Sequence, residues 1–517
     1  MALRRSLLVM GLCAWLPLAA GNVALAQEKV LRVGINAADI AFLDPHRAQA
    51  TTDRGLMGWM FNALVRFPPG SADPAKLEPD LAERWESSAD GLTWTFHLRK
   101  GVKFHGGGEL DAEDVRYSLM RAADPKRSSF SGDFRAMDRV EVVDPLTVRV
   151  VFKTPVPHAL GLFADYQGGF IVSRKAATEL GDKFNTNPVG TGPFMFAEHA
   201  TQQHVTLVAH PGYFRGKPQI DKVVYRFIAA DSPRELAFSA GELDLIVGRR
   251  EQKWVERMRA TPNVTVEIFR PAEYRTLHIN TKSAPLDDKR VREAIARAIN
   301  VPRIIQFVGK DVALPGHSVV PPSYLGKSGD GWSYSYDPAR AKALLAEAGH
   351  ANGIRIKSVV SSVSSIQPIM EVIQAQLKQV GITLDMDVVD HPTYHAQIRK
   401  DASQVTFYGA ARFPVADSYL SEFYHSRATI GTPTAALNLS HCDVADKEID
   451  EARTSPDRAK QLELWREAQK KIHMAICSVP LFELMQVWVR SNKLDLGYKL
   501  EGAMNLAPAL TEKSSLK

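Results

Sequence analysis

Cysteine is scarce in this sequence, three residues among 517, and no Cys/His pattern builds a closed metal site. Long apolar runs are missing beyond residue 27, as are low-complexity tracts and short-period repeats, which argues against a bundle of membrane-spanning helices and against a repeat solenoid. Charge of one sign is concentrated nowhere. The 64 basic and 58 acidic residues are interspersed, so the formal charge of +6 does not form the stripe of a nucleic-acid binder. Catalytic signatures are absent as well: neither G-x-S-x-G nor H-E-x-x-H occurs, and the serine-rich VVSSVSSIQP at 359–368 has no lysine at catalytic spacing.

What is present is an ordinary globular composition, 45% hydrophobic and 24% charged, over a length too great for one hydrophobic core. Two or three domains are expected. The chain opens MALRRSLLVMGLCAWLPLAAGNVALAQ, with Arg4 and Arg5, an apolar run from Leu7 to Ala20, then Ala24-Leu25-Ala26, the small-x-small pattern that a signal peptidase cuts. Cleavage of 1–26 before Gln27 is expected, and with it export to the periplasm. The alternative is an uncleaved anchor, for which the run is shorter than the ~20 residues of a bilayer span. A lipid tail on Cys13 is not expected, because Leu12 stands where a lipobox wants a small residue. Removing the leader takes away two arginines and no acid, leaving a formal charge of +4. It also leaves Cys442 and Cys477 in an oxidising compartment. A disulfide between them is expected; two separate buried thiols are the alternative, since sequence does not show whether their Cα atoms come within ~7 Å.

Strand and helix signals alternate from there on. KVLRVGI at 29–35 is a first strand, and in LDPHRAQATTDRGLMGWMFNAL Asp44 offers a helix cap with Pro45 suited to the first turn. LTWTFHLRK puts Leu92, Trp94, Phe96 and Leu98 on one face and Thr93, Thr95, His97 and Arg99 on the other. DPLTVRVVFKTP at 144–155 repeats that style, and DAEDVRYSLMRA reads as a capped helix, so 67–189 forms a small α+β unit. Later, LDDKRVREAIARAIN at 286–300 places Val291, Ala294, Ile295, Ala298 and Ile299 on one stripe. In YDPARAKALLAEAG Asp337 caps, Pro338 starts and Gly349 stops a helix, and IQAQLKQVGITLDMDVV is a helix feeding a strand. This alternation indicates an α/β lobe.

The stretch LEPDLAERWESSADGLTWTFHLRKGVKFHGGGELDAEDVRYSLMRA at 77–122 resembles the family 5 extracellular solute-binding proteins, the peptide, nickel and opine receptors of bacterial ABC importers. NPVGTGPF, FSAGELDLI, DKRVREAIARAIN, YDPARAKALLAEAG and CSVPLF follow in the family's order, so the resemblance covers nearly the whole mature chain. It implies an α/β, periplasmic-binding-protein-like fold of type II, with two lobes joined by a two-strand hinge and an additional α+β domain inserted into the first. The implied parts are a first lobe from 27–66, 190–271 and 490–517, an inserted domain at 67–189, and a second lobe at 272–489. A peptide-like or acidic, opine-like solute would be caught between the lobes and delivered to an inner-membrane permease. The receptor would be a monomer, with no cofactor and no catalysis. A nickel or metallophore receptor and a sensory binding protein are the alternatives, and an exported hydrolase is the weakest.

The site residues also come from the resemblance. In peptide-binding relatives the segment equivalent to YGAARFPVADSYL carries an aspartate that pairs with the ligand's α-ammonium, and an ungapped comparison anchored at Asp417 puts Arg412 there. A guanidinium repels an ammonium and offers its fork to carboxylate or phosphate. Gly409 also replaces a large aromatic of the family. Both changes favour an acidic or opine-like solute, or a peptide held by its carboxyl end; for Arg412 the alternative is an ion pair within its lobe or a side chain pointing to solvent. Tyr408 is a candidate stacking surface, with core packing as the alternative, and Asp417, named with the site, is read first as holding the loop through backbone hydrogen bonds. Gln49 corresponds to a first-lobe contact, with mere surface exposure as the alternative, and Phe130 and Phe134 lie where the inserted domain of relatives projects an aromatic toward the cleft, with core packing an equal alternative for either. His97 and His105 lack a ligand pattern, and His391, His395 and His425 gather without short-range spacing, so no metal ligands are expected among them.

Overall fold

The computed structural model describes residues 28–156, 158–328, 332–431 and 437–517. The expected leader, Cys13 included, lies outside the described residues. Val30–Ile35 sits inside the largest sheet, parallel to Lys222–Phe227 on one side and to Leu245–Val247 on the other. His204–Ala209 and Phe194–Ala200 extend that first edge antiparallel. Toward the opposite edge the order runs through Ser478–Ser491 and Val264–Ile279 to Val405–Ala410, and among the described residues the sheet has nine strands.

Two of these strands are much longer than the rest. Val264–Ile279 and Ser478–Ser491 pair antiparallel from Val264 opposite Ser491 to His278 opposite Ser478, and the register shifts between Phe269 and Glu273 and again between Arg275 and Thr276. One end of this ribbon is bonded to Leu245–Val247 and the other to Val405–Ala410. The chain therefore crosses between the two lobes twice within one hydrogen-bonded ribbon, with an ordered ladder on each side of an interruption. Such an interruption is where a ribbon bends most readily.

The second lobe is built largely as its caps and stripes dictate. Asp288 accepts the Arg290 N–H and starts Lys289–Ala298, which buries Val291, Ala294, Ile295 and Ala298. Asp337 accepts the Arg340 N–H at the head of Pro338–Glu347. Gln367–Lys378 turns through Gly381, at φ +92°, into Ile382–Val389, which pairs in parallel with Ile354–Ser361. The inserted α+β unit carries a separate four-stranded antiparallel sheet in the order Ala82–Ser87, Thr93–Leu98, Thr147–Phe152, Met137–Asp144. Phe96 and Leu98 face its core, and Ala112–Ala123 begins in a reciprocal capping box between Asp111 and Asp114.

One local expectation is corrected. The helix expected to start at Asp44 begins at Thr51. Asp44 is buried, and Arg121 of the inserted unit grips its carboxylate at 2.9 and 2.5 Å while also reaching His46 Nδ1 at 2.8 Å. A buried carboxylate is stable only with such a partner, so Asp44 ties the inserted unit to the first lobe instead of capping a helix. His46, buried against the Phe170 carbonyl, has its pKa lowered to about 4 by burial, with the neighbouring guanidinium adding to the effect.

Cys442 and Cys477 are bonded to one another, both buried, with Cα atoms 5.8 Å apart. The bridge fastens a loop to the root of the crossing strand Ser478–Ser491. Closing a loop of 35 residues stabilises by about 3–4 kcal/mol on the chain-entropy account. Replacing both cysteines by serine is therefore expected to lower unfolding free energy in urea by that amount. Dithiothreitol should do the same to the native protein and nothing to the variant. An unchanged midpoint would show that the loop is held without its crosslink.

Candidate functional site

The register of the crossing ribbon sets the floor between the lobes. Arg275 on Val264–Ile279 stands opposite Gly409 on Val405–Ala410. A β carbon at Gly409 would come within 2.6 Å of Arg275 Nη1 and 2.7 Å of its Cδ and Cζ, so the arginine fills the space left by the missing side chain. Arg275 Nη2 donates to Glu273 Oε2 at 2.5 Å. From the first lobe, Arg250 donates through Nη1 to Glu273 Oε1 at 2.7 Å and through Nη2 to Gln486 Oε1 at 2.9 Å. Burial opposes the charge on Glu273, but Arg250 and Arg275 outweigh it and lower the pKa to about 2.

Three residues beyond Gly409, the Arg412 backbone is pinned by Tyr324, whose hydroxyl accepts from its N–H and donates to its carbonyl, both at 2.7 Å. Its guanidinium makes a two-point pair with Glu422, Nε to Oε2 at 2.5 Å and Nη2 to Oε1 at 2.7 Å, and lies 5.4 Å from the Phe423 ring centre. Glu422 and Phe423 belong to the helix Ala416–Phe423, which follows the loop directly. Burial disfavours the charge on Arg412, yet the Glu422 carboxylate more than offsets this and raises its pKa well above the ordinary value.

The opposite wall comes from the inserted unit. Asp133 lies within electrostatic reach of Glu422 and Arg412, and burial, with Glu422 adding, raises its pKa to about 6 against the opposing pull of Arg412 and Arg135. Tyr166 is buried beside the same pair, with the Arg54 guanidinium 4.9 Å from its ring centre. Phe413, the residue after Arg412, enters this wall. Its ring stacks on His158 at 5.4 Å, approaches Phe67 and Tyr166 at 6.0 and 6.1 Å, and covers Gly161 so closely that a β carbon there would lie 2.2 Å from Cζ. The lobes are thus shut on one another, with apolar residues of both in one continuous cluster. Between the lobes the Glu273, Arg412 and Glu422 side chains remain 22, 26 and 27% accessible, which leaves a polar chamber there.

The residues singled out from sequence fall into different places. Arg412 reaches the chamber, but its fork is spent on Glu422, because a guanidinium withdrawn from water needs a counter-charge. Its expected preference for an anion is corrected accordingly. Tyr408, 8% exposed, packs within the second lobe against His395 and Phe423, each at 6.0 Å. Asp417 is 1% exposed and paired with Arg453 at 3.4 Å, so it serves the loop and helix instead of a ligand. Phe134 is likewise corrected: at 2% exposure it packs over Gly168 and Ala122 in the core. Phe130 is buried, while Gln49 is exposed and donates to the Ser129 carbonyl at 3.4 Å. Among the histidines, His105 bonds the Gly192 carbonyl, His391 and His395 bring their Nε2 atoms to 3.2 Å, and His425 turns away to Asp450. Glu422, Asp133, Tyr166, Arg250, Glu273 and Arg275 went unnoticed in the sequence. For Glu422 a signal existed, an acid one helix away from an arginine assigned to a buried loop.

The profile of bacterial extracellular solute-binding proteins, family 5 middle, matches residues 76–430. Di/tripeptide-binding protein 2 of Pseudomonas aeruginosa (strain UCBPP-PA14) is 32% identical over 93% of this chain and 93% of its own length. Among solved structures, MoaA from A.tumefacien R10 in complex with mannopinic acid is 47% identical, covers 95% of this chain and 100% of its own, and superposes with a TM-score of 0.86. DppA from Helicobacter pylori in complex with the peptide STSA is 28% identical, with 94% and 98% covered and a TM-score of 0.80.

Phe413 and Gly161 make the closed state testable. Phe413→Ala should leave the melting temperature of each lobe little changed while removing on the order of 3 kcal/mol from closure, about a hundredfold in solute affinity. Gly161→Val should hold the lobes apart, giving a larger radius of gyration in solution scattering that metabolite extract does not reduce. Compaction of Gly161→Val to native size would show that closure does not need the ring in this seat.

Proposed function

Because the chain belongs to the bacterial extracellular solute-binding proteins of family 5, we propose that it captures a small zwitterionic acid of the opine type between its lobes and hands it to the permease of an ABC importer. Members of this family are binding components, so the protein holds its solute and leaves it chemically unaltered. The observation that carries the finer reading is the polarity of the chamber. Arg412 and Glu422 balance one another, and Asp133, with Arg135 also within its electrostatic reach, adds a second carboxylate at this end once ionised, which suits an ammonium. At the hinge, Arg250 and Arg275 against Glu273 leave one positive charge in surplus, which suits a carboxylate. The 47% identical MoaA, whose structure holds mannopinic acid, supports the same class.

A peptide is the second reading, since it too is a zwitterion and a 32% identical relative carries a di/tripeptide-binding name. Ligand binding favours the closed state only by its differential affinity for closed over open, so a solute that bridges both charged ends stabilises closure more than one that meets a single end. In the same reading the protein is exported to the periplasm, cut before Gln27, free of lipid and monomeric, and it meets no nucleic acid. The interrupted ladder near 270–272 supports placing the lobe boundaries at 271 and 489, with 67–189 as the inserted domain.

Calorimetry with mannopinic acid and a panel of di- and tripeptides tests the assignment. The expected result is one saturable site for mannopinic acid, with peptides at least tenfold weaker; the reverse order establishes the peptide reading, and heat from neither removes both. Affinity should also depend on pH. Asp133, its pKa raised to about 6, carries its charge above that value and loses it below, so affinity should fall as the pH drops from 7 to 5. Asp133→Asn should bind weakly throughout and flatten the profile.

A further inference from the structure

Arg275 is 4% exposed, and its hydrogen bonding is incomplete. Nη2 donates to Glu273 at 2.5 Å, but Nε is buried without any partner. Glu273 is shared with Arg250, so two guanidinium groups face one carboxylate. A buried donor without an acceptor and a buried charge without a full counter-charge both cost stability, and neither is relieved by the residues present. The guanidinium also sits against Gly409, which is half-buried, with the Phe407 ring centre 5.8 Å away. Any larger residue at 409 would push it aside.

From this geometry we propose that Arg275, supported by Arg250 and given room by Gly409, is the specificity subsite for a carboxylate of the solute, selecting an acid over its carboxamide. The subsite deepens the reading of the chamber as a solute site and rests on it. The arriving carboxylate supplies the missing negative charge, takes the free donors of Arg275 and leaves Glu273 bridging the two arginines. A carboxamide of the same shape brings no charge and sets its NH2 against a cation, so it binds poorly.

The test compares mannopinic acid with its carboxamide counterpart by calorimetry. The native protein should prefer the acid by tenfold or more. Arg275→Gln should lose acid affinity ten- to hundredfold and keep carboxamide affinity within threefold. Gly409→Ala retains every charge but displaces the guanidinium, and it should abolish the preference too. Circular dichroism checks that both variants are folded, and if Arg275→Gln is not, Gly409→Ala decides the matter. A further readout needs no complete solute: sodium acetate against sodium chloride at equal ionic strength should raise the native melting temperature and leave that of Arg275→Gln unmoved. Should the native protein bind no mannopinic acid yet keep the acetate shift, the solute assignment fails and the subsite stands. Equal losses for acid and carboxamide, or an acetate response unchanged in both variants, overturn the subsite.

Discussion

The ladder between Val264–Ile279 and Ser478–Ser491 is the interaction on which the rest of the structure depends. It joins the lobes, and its register decides which side chains stand between them. Glu273 and Arg275 come from one strand and Gln486 from the other, while the neighbouring strand brings Gly409 opposite Arg275. A slip of one residue would exchange the two faces of the strand and put Tyr274 or Thr276 where the guanidinium now lies. The interruption after Phe269 gives the same ribbon its bending point, so connection, closure and charge placement share one cause.

Charge burial governs what the closed cleft can hold. Four guanidinium groups meet carboxylates: Arg412 with Glu422, Arg121 with Asp44, Arg250 and Arg275 with Glu273. Where the counts match, the pair is structural and nearly neutral toward a ligand. Where they do not, as at Arg275 and Arg250 beside the shared Glu273, the proposed subsite has a surplus for recognition. A polar solute that complements it would replace the lost hydration, while Phe413 on Gly161 adds apolar closure that is indifferent to the solute's chemistry.

Much of the architecture was readable from local rules. Asp111, Asp288 and Asp337 cap helices because a short carboxylate reaches the free N–H groups of a first turn wherever the chain continues. The alternation around Phe96 and Leu98 works the same way, through a period that neighbours alone impose. The site was readable only in part. Arg412 was found, but its partner sits across a loop and a helix, and Asp133 and Tyr166 arrive from a unit more than 240 residues earlier in the chain. For Phe134 the cleft and the core stayed open together, because a resemblance carries a position and not a side-chain direction. Arg275 passed unnoticed because an arginine in an alternating strand reads as a solvent-facing residue.

The sequence by itself determined the class of the protein, its periodic elements and its caps, since these depend on residues within a turn or a strand of one another. Tertiary structure alone decided which charges are balanced. Electrostatic energy inside protein depends on distance in space and on the absence of water, and neither is set until strands 130 residues apart lie side by side with Arg275 pressed onto Gly409.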